Sequence, residues 1–317
     1  MTRAEYIKIA DAIARNNWDE QPTIHYERYT ISQFQGTAFD SDYKSYKIQW
    51  KEWRATISPV IGASRVIEMV AKRASNNELK AFQILTNVGA PIPSVYQVIH
   101  GKDATHMIFM KMMPGSELYS ISNESSWVLT AEKLAKIHLA FWNESPDDEN
   151  VVPNFPASDE LERRLKRAYG NVFRTKMWKE YLDKAMDRFV HAPKTLIHGD
   201  LFPVNILVNG SNICLIDWEN ATHFSYMMDL GRLTSIIDRK TLKPMCPCAD
   251  AVIEAYYNKV KDRLGLSYED YLHDIRLAQF IELASYYSPE WLPEGDRAYN
   301  EEISKKLIEI VARDRNY

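Results

Sequence analysis

"HGDLFPVNILVNGSNICLIDWENA", residues 198–221, decides the fold of this chain. Within it, the apolar runs 206–208 and 213–216 flank Asn209-Gly210. That dipeptide is the strongest short hairpin-turn signal, because both residues tolerate the positive φ of a tight turn. Pairing the two runs antiparallel around residues 209–212 puts Asn205 opposite about Ile216, so Asn205 and Asp217 emerge side by side at the open end. A carboxamide oxygen and a carboxylate converging there form a hard-oxygen site suited to Mg²⁺, an ion that takes few protein ligands beside phosphate oxygens and water. Asp200 lies five residues before Asn205, on a loop after the apolar strand "TLIH". Its carboxylate could receive a proton from an attacking hydroxyl. A polar turn with an Asx cap would account for any one of these residues, but not for all of them at these intervals.

The rest of the composition sets the frame. At 317 residues the chain is long enough for two domains, or one domain with two lobes. A hydrophobic fraction of 45% and a charged fraction of 26% are those of a globular protein with a sizeable core. A formal charge of −4 argues against a general nucleic-acid binder. The opening "MTRAEYIKIADAIARNN" is too polar for a signal peptide. It reads as an amphipathic helix with Tyr6, Ile9 and Ile13 on one face and a Thr2-x-x-Glu5 capping box. No stretch approaches the ~18 apolar residues of a membrane span. Cys214, Cys246 and Cys248 are too few and too odd in number for a disulfide framework, which points to a reducing cytoplasm. "CPC" at 246–248 offers half of a metal site with no second cysteine pair, and otherwise reads as a loop.

Two halves of different character follow one another. From about residue 22 to 112, "TIHYERYTISQF", "YKSYKIQW", "SRVIEMVAK" and "THMIFMKMM" read as strands. One helix interrupts them, "SNNELKAFQILTNVG", with a Ser75-x-x-Glu78 capping box and Gly89 as its stop. "PIPSVYQVI" must run extended, because each proline disfavours helix at the residue before it. After "PGS" at 114–116, helical spacing takes over in "SWVLTAEKLAKIHLAFW", "DELERRLKRAYG", "CADAVIEAYYNKVKDRL", "YLHDIRLAQFIELASYY" and "EEISKKLIEIVARD". The expected domains are 1–113, including the N-terminal helix, and 114–317.

The spacing H-x-D-x-x-x-x-N, followed by an apolar run ending in Asp, is the arrangement of base and metal ligands in kinases. On these residues the chain resembles the aminoglycoside phosphotransferase and choline kinase superfamily, small-molecule relatives of the protein kinases. The resemblance runs from about residue 30 to 290. It is sharpest at "LIHGDLFPVNILV", "ICLIDWENA" and "MMDLGRL", and includes "VGAPIPSVYQV", "MIFMKMMPGSEL" and "AEKLAKIHLAFW". It implies an α+β, bilobal protein-kinase-like fold, with a small sheet-rich nucleotide-binding lobe and a larger helical lobe carrying the catalytic loop and the acceptor-binding helices. It implies Asp200 as catalytic base, Asn205 and Asp217 as ligands of Mg²⁺ bridging the phosphates of ATP or GTP, and His198 and Asp229 as supports of the loop. His138, on the apolar face of its helix, reads as a core residue.

The sheet-rich half must supply a lysine for the phosphates and an acid to orient it. Lys72, at a strand end, and Glu78, on a helical face shared with Phe82 and Leu85, are the expected pair, since a carboxylate on a partly buried face wants a cation. The alternative leaves Glu78 only its capping box. Lys80 points to the polar side of the same helix. By resemblance, adenine would lie against the hinge Lys111-Met112-Met113, with Met110 at the rear and Leu207 and Ile216 as an apolar floor.

Two departures from the kinase pattern matter. "QFQGTAFDSDYKSYK" has one glycine, Gly36, and two acids, Asp40 and Asp42, so no Gly-rich phosphate loop is legible. His-Gly-Asp and Asp-Trp-Glu replace His-Arg-Asp and Asp-Phe-Gly, and no A-P-E follows, which favours a small-molecule acceptor over a protein. Acids and aromatics in "AQFIELASYYSPEWLPEGDRAYNEE" suit a cationic acceptor: Gln279, Glu282 and Tyr286 share a helical face, and Trp291 and Glu219 join them as candidates. The same pattern also describes a solvated helix end. Three functions stay open: a kinase of an amino-sugar antibiotic or similar amine, a kinase of choline, ethanolamine or another metabolite, and a nonenzymatic binding protein. The basic "RRLKRAYGNVFRTKMWKE" at 163–180 is the support for the last, and otherwise reads as a solvated helix face.

Overall fold

A computed structural model describes residues 25–34, 45–54, 64–100, 105–143, 176–286 and 297–314. The expected N-terminal helix, the loop bearing Gly36, Asp40 and Asp42, and the expected helix at 159–170 lie outside the described residues. The chain divides into two compact units, Met1–Phe82 with Ile92–Met113, and Gln83–Pro91 with Pro114–Tyr317.

The first unit is built on a five-stranded antiparallel sheet in the order β1-β2-β3-β5-β4. Its strands are β1 (His25–Phe34), β2 (Ser45–Arg54), β3 (Ser64–Ser75), β4 (Val95–His100) and β5 (Thr105–Lys111). Ile108 and Met110, two apart and hence on one face of β5, pack with Ala74 and Phe82 as its core. Helix α1 (Asn76–Asn87) follows β3 directly. The Ser75 hydroxyl accepts the Glu78 N–H at 3.1 Å, which satisfies one of the orphan donors of the first turn. At the other end Gly89 takes φ +64° and the Ala90 N–H reaches back to the Leu85 carbonyl at 3.0 Å.

The second unit is mainly helical: α2 (Glu124–Ala140), α3 (Lys176–His191), α4 (Met227–Ser235), α5 (Ala249–Leu264), α6 (Tyr268–Tyr286) and α7 (Arg297–Asp314). Helix α2 packs on α5, α4 on α6, and α6 on α7. The sequence reading assigns no element to 227–235. Helix α4 has nine residues with Gly231 near its centre, so its local propensity signal is weak and its packing decides it. Tyr226, Tyr256 and Tyr271 stack in the core, each pair of ring centroids 6.4 Å apart. No helix among the described residues is long and apolar enough to cross a membrane.

Two small sheets carry the loops that hold Asp200, Asn205 and Asp217. Strands β7 (Lys194–Ile197) and β10 (Thr222–Ser225) pair antiparallel, and β6 (Ser116–Glu117), β8 (Ile206–Asn209) and β9 (Asn212–Leu215) form a three-stranded sheet. The β8–β9 hairpin is the one read from the sequence, with a correction at its tip. Asn209 is a strand residue paired with Asn212, and the two-residue loop is Gly210-Ser211. Gly210 takes φ +60° whereas Ser211 does not go positive, the pattern of a type II′ turn with glycine at its first central position.

Candidate active site

The loop after β7 is pinned from behind. Asp229, in the first turn of α4 and 1% exposed, accepts the backbone N–H of His198 at 2.7 Å on one oxygen and that of Gly199 at 3.0 Å on the other. His138 Nε2 stands 3.3 Å from the same carboxylate, and its Nδ1 bonds the Tyr256 hydroxyl at 2.7 Å. Burial alone would raise the Asp229 carboxyl, but its hydrogen bonds with His138 and the backbone N–H of His198 hold it below the usual aspartate value. The His198 ring donates from Nε2 to the Ile216 carbonyl at 2.8 Å and accepts the Asp200 N–H on Nδ1 at 3.3 Å. Gly199 explains the His-Gly-Asp wording: its φ is +75°, and a Cβ there would overlap the carbonyl oxygen of Asn220.

Asn205 and Asp217 stand at the open end of the β8–β9 hairpin, in the register read from the sequence. The Ile216 N–H donates to the Asn205 carbonyl at 2.9 Å, which extends the ladder one pair beyond Ile206–Leu215 and sets Asp217 next to it. The Asn205 amide donates from Nδ2 to the Asp200 carbonyl at 2.9 Å and approaches Asp200 Oδ2 at 3.3 Å. A carbonyl can only accept, so Nδ2 must face it and Oδ1 is turned away as an acceptor. Asp217 adopts φ +67°, ψ +62°, a left-handed conformation that costs a non-glycine residue about 1–2 kcal/mol and is held at the start of the 3₁₀ turn Trp218–Asn220. An amide oxygen and a carboxylate here match the hard-oxygen preference of Mg²⁺.

Asp200 itself is 31% exposed at its side chain, and its Oδ1 accepts from Arg232 Nη1 at 2.7 Å. Burial pushes its carboxyl above the ordinary aspartate range, with Arg232 opposing. Arg232 also donates from Nη1 to the Gly199 carbonyl at 2.5 Å and from Nε to Glu282 Oε2 at 2.7 Å, and its guanidinium carbon lies 5.3 Å from the Phe202 ring centroid. Sequence reasoning missed Arg232. Its one local signal is a cation amid "MMDLGRL", three residues after Asp229 on the same helix.

Glu282 requires a correction. Read as an acceptor-facing acid, it is 2% exposed and committed to Arg232, because the α6 face it shares with Gln279 is covered by α4. Gln279 on that face bonds the Thr234 hydroxyl at 2.9 Å. Of the other acceptor candidates, Glu219 is half-buried on the 3₁₀ turn, while the side chain of Tyr286 and all of Trp291 lie outside the described residues.

In the first unit, Lys72 Nζ stands 2.7 Å from Glu78 Oε1, with the glutamate 1% exposed. Glu78 thus forms the ion pair while its backbone N–H uses the Ser75 cap. Met110 is buried in the sheet core, the Lys111 N–H is spent on the Ser94 carbonyl at 2.8 Å, and Met112 follows β5 half-buried. In the second unit Leu207 and Ile216 are half-buried.

The sequence profile described as the phosphotransferase enzyme family matches residues 64–264, more than half of the chain. The chain belongs to that family. The matched span includes Lys72, Glu78, His198, Asp200, Asn205, Asp217, Asp229 and Arg232, and ends before Gln279 and Glu282. Among solved structures, a spectinomycin phosphotransferase in complex with ADP and spectinomycin is 14% identical with a TM-score of 0.59, over 100% of this chain and 99% of that one. An ethanolamine kinase of Plasmodium vivax is 14% identical with a TM-score of 0.55, over 89% and 82%. A choline kinase of Streptococcus pneumoniae is 14% identical with a TM-score of 0.52, over 98% and 100%. At these identities the likeness is one of fold, and the fold is the bilobal, protein-kinase-like one. Among curated proteins, none matches by sequence.

Proposed function

We propose that this chain is a Mg²⁺-dependent small-molecule kinase that moves the γ-phosphoryl group of ATP or GTP to a hydroxyl of a small acceptor. The observation that carries this is the coupling of Asp200 to Asn205 by two hydrogen bonds, on a loop whose hairpin brings Asp217 to the same end. Asp200 would take the proton of the attacking hydroxyl, a role suited to a carboxylate with lone pairs to spare. Asn205 and Asp217 would hold Mg²⁺, which when bound supplies charge neutralisation at the phosphate oxygens. Lys72, oriented by Glu78, would meet the nucleotide phosphates, and His198 and Asp229 would keep the loop in place. Met110, the backbone of Lys111 and Met112, Leu207 and Ile216 are the proposed adenine contacts. Phosphoryl transfer asks for little beyond such positioning and charge stabilisation.

An amine-bearing acceptor is the first class to test. The structural relatives bear the names of a spectinomycin, an ethanolamine and a choline enzyme, which spans antibiotics and metabolites. Glu282 no longer speaks for a cationic acceptor, since its charge is met by Arg232. The experiment is nucleotide consumption across a panel of aminoglycosides, choline, ethanolamine and sugars, with Asp200→Asn as control. Stimulation by one acceptor, lost roughly 10²–10⁴-fold in the control, supports the reading. Mg·ATP binding without turnover on any acceptor would favour a binding protein, and full activity in Asp200→Asn would remove Asp200 as the base.

A further inference from the structure

We infer that the Glu282–Arg232 pair is a support that aims the Asp200 carboxylate, which makes Arg232 a positioning residue for phosphoryl transfer. This rests on the reading of Asp200 as the base. One nitrogen, Nη1 of Arg232, donates both to Asp200 Oδ1 at 2.7 Å and to the Gly199 carbonyl at 2.5 Å. The carboxylate is thereby tied to the backbone of its own loop, which restricts its rotation. Asn205 Nδ2 approaches the other oxygen, Oδ2, at 3.3 Å, so the carboxylate plane is held from both ends. A carboxylate offers about four lone-pair sites, and these contacts use two, so it can still accept a proton.

The arginine is itself held. Its Nε donates to Glu282 at 2.7 Å, and the glutamate is 2% exposed on α6, a helix that Gly231 lets approach closely. A buried ion pair is weak support for stability, because apolar residues of like volume usually serve as well or better. Its geometry here is better explained by what it touches. It joins α6 through α4 to a single oxygen of the proposed base.

Steady-state kinetics of the full chain test this, with Mg·ATP and the acceptor from the panel, or with nucleotide hydrolysis by water where none is found. The double variant Arg232→Met/Glu282→Gln removes the support without leaving the buried Glu282 charge unpaired. Its kcat should fall roughly 10²-fold, the loss expected when a catalytic group is misplaced by about an ångström, with the nucleotide KM unchanged. Arg232→Lys and Glu282→Gln each keep half of the support and should each lose only part of kcat. Wild-type kcat in the double variant, with Asp200→Asn inactive, would overturn the positioning role and spare the base. Full activity in Asp200→Asn would instead overturn the base. Should the double variant not fold, wild-type kcat in both single variants overturns the proposal.

Discussion

At the scale of single residues, one buried carboxylate organises the loop after β7. Asp229 accepts two successive backbone N–H groups and faces His138, a set of bonds that an amide cannot copy. Asparagine has one acceptor oxygen, and its NH₂ would meet an N–H donor. Asp229→Asn should therefore cost about 3 kcal/mol, the upper range for hydrogen bonds to a charged group. The pH dependence has a definite sign. The folded carboxyl lies below its ordinary value, so the unfolded chain takes up the proton first as pH falls. The stabilisation by Asp229 is present above about pH 4, the unfolded pKa, and is lost as pH falls through the folded one. Urea unfolding of wild type and variant at pH 7 and in acid should show the gap between them narrowing in acid. At Asp217, replacement by alanine removes one of the two proposed metal ligands. Calorimetric titration should then find nucleotide binding that no longer strengthens on adding Mg²⁺.

Element packing sets different costs for similar substitutions. Gly210 and Gly231 are both glycines in the second unit, yet their surroundings differ. At Gly210 a Cβ meets nothing within 4 Å, so Gly210→Ala incurs only the positive-φ cost, about 1 kcal/mol. At Gly231 a Cβ would come to 2.7 Å from the Ala278 Cβ and 2.8 Å from its carbonyl carbon. Gly231→Ala must push α4 off α6, at about 1–3 kcal/mol for overpacking. Arg232 is the next residue, so this variant should also reduce turnover, whereas Gly210→Ala should leave kcat nearly intact. Denaturant midpoints and kcat measured on both variants check the contrast.

For the whole molecule, the informative readout is linkage between ligand and global stability. A ligand that binds only the folded chain stabilises it by about 2.7 kcal/mol at a hundredfold excess over Kd. Mg·ATP or Mg·GTP should thus raise the melting temperature of the wild type. Lys72→Met, which removes a proposed phosphate contact and strands the buried Glu78, should lower the melting temperature and blunt the rise. Asp200→Asn should keep most of the rise while losing turnover, since binding and proton removal are separate roles. A nucleotide shift equal in wild type and Lys72→Met would remove Lys72 from the nucleotide site.

What the sequence by itself determined lies at short range. The intervals between His198, Asp200, Asn205 and Asp217 are spanned by one loop and one tight hairpin, so their meeting is a matter of local geometry. The Ser75 cap and the Lys72–Glu78 pair are local for the same reason. The hairpin register around residues 209–212 is local too, although only Gly210 of the Asn209-Gly210 pair takes a positive φ and Asn209 stays in the ladder. The tertiary structure alone decided the rest. Periodicity put Glu282 and Gln279 on one face of a helix, but not which neighbour would cover that face. Arg232 and Glu282 are 50 positions apart, and His138 and Asp229 are 91 apart. A buried charge has no fixed sequence offset to its partner. It is paired by whichever element packing brings against it, and here that packing is α4 laid on α6.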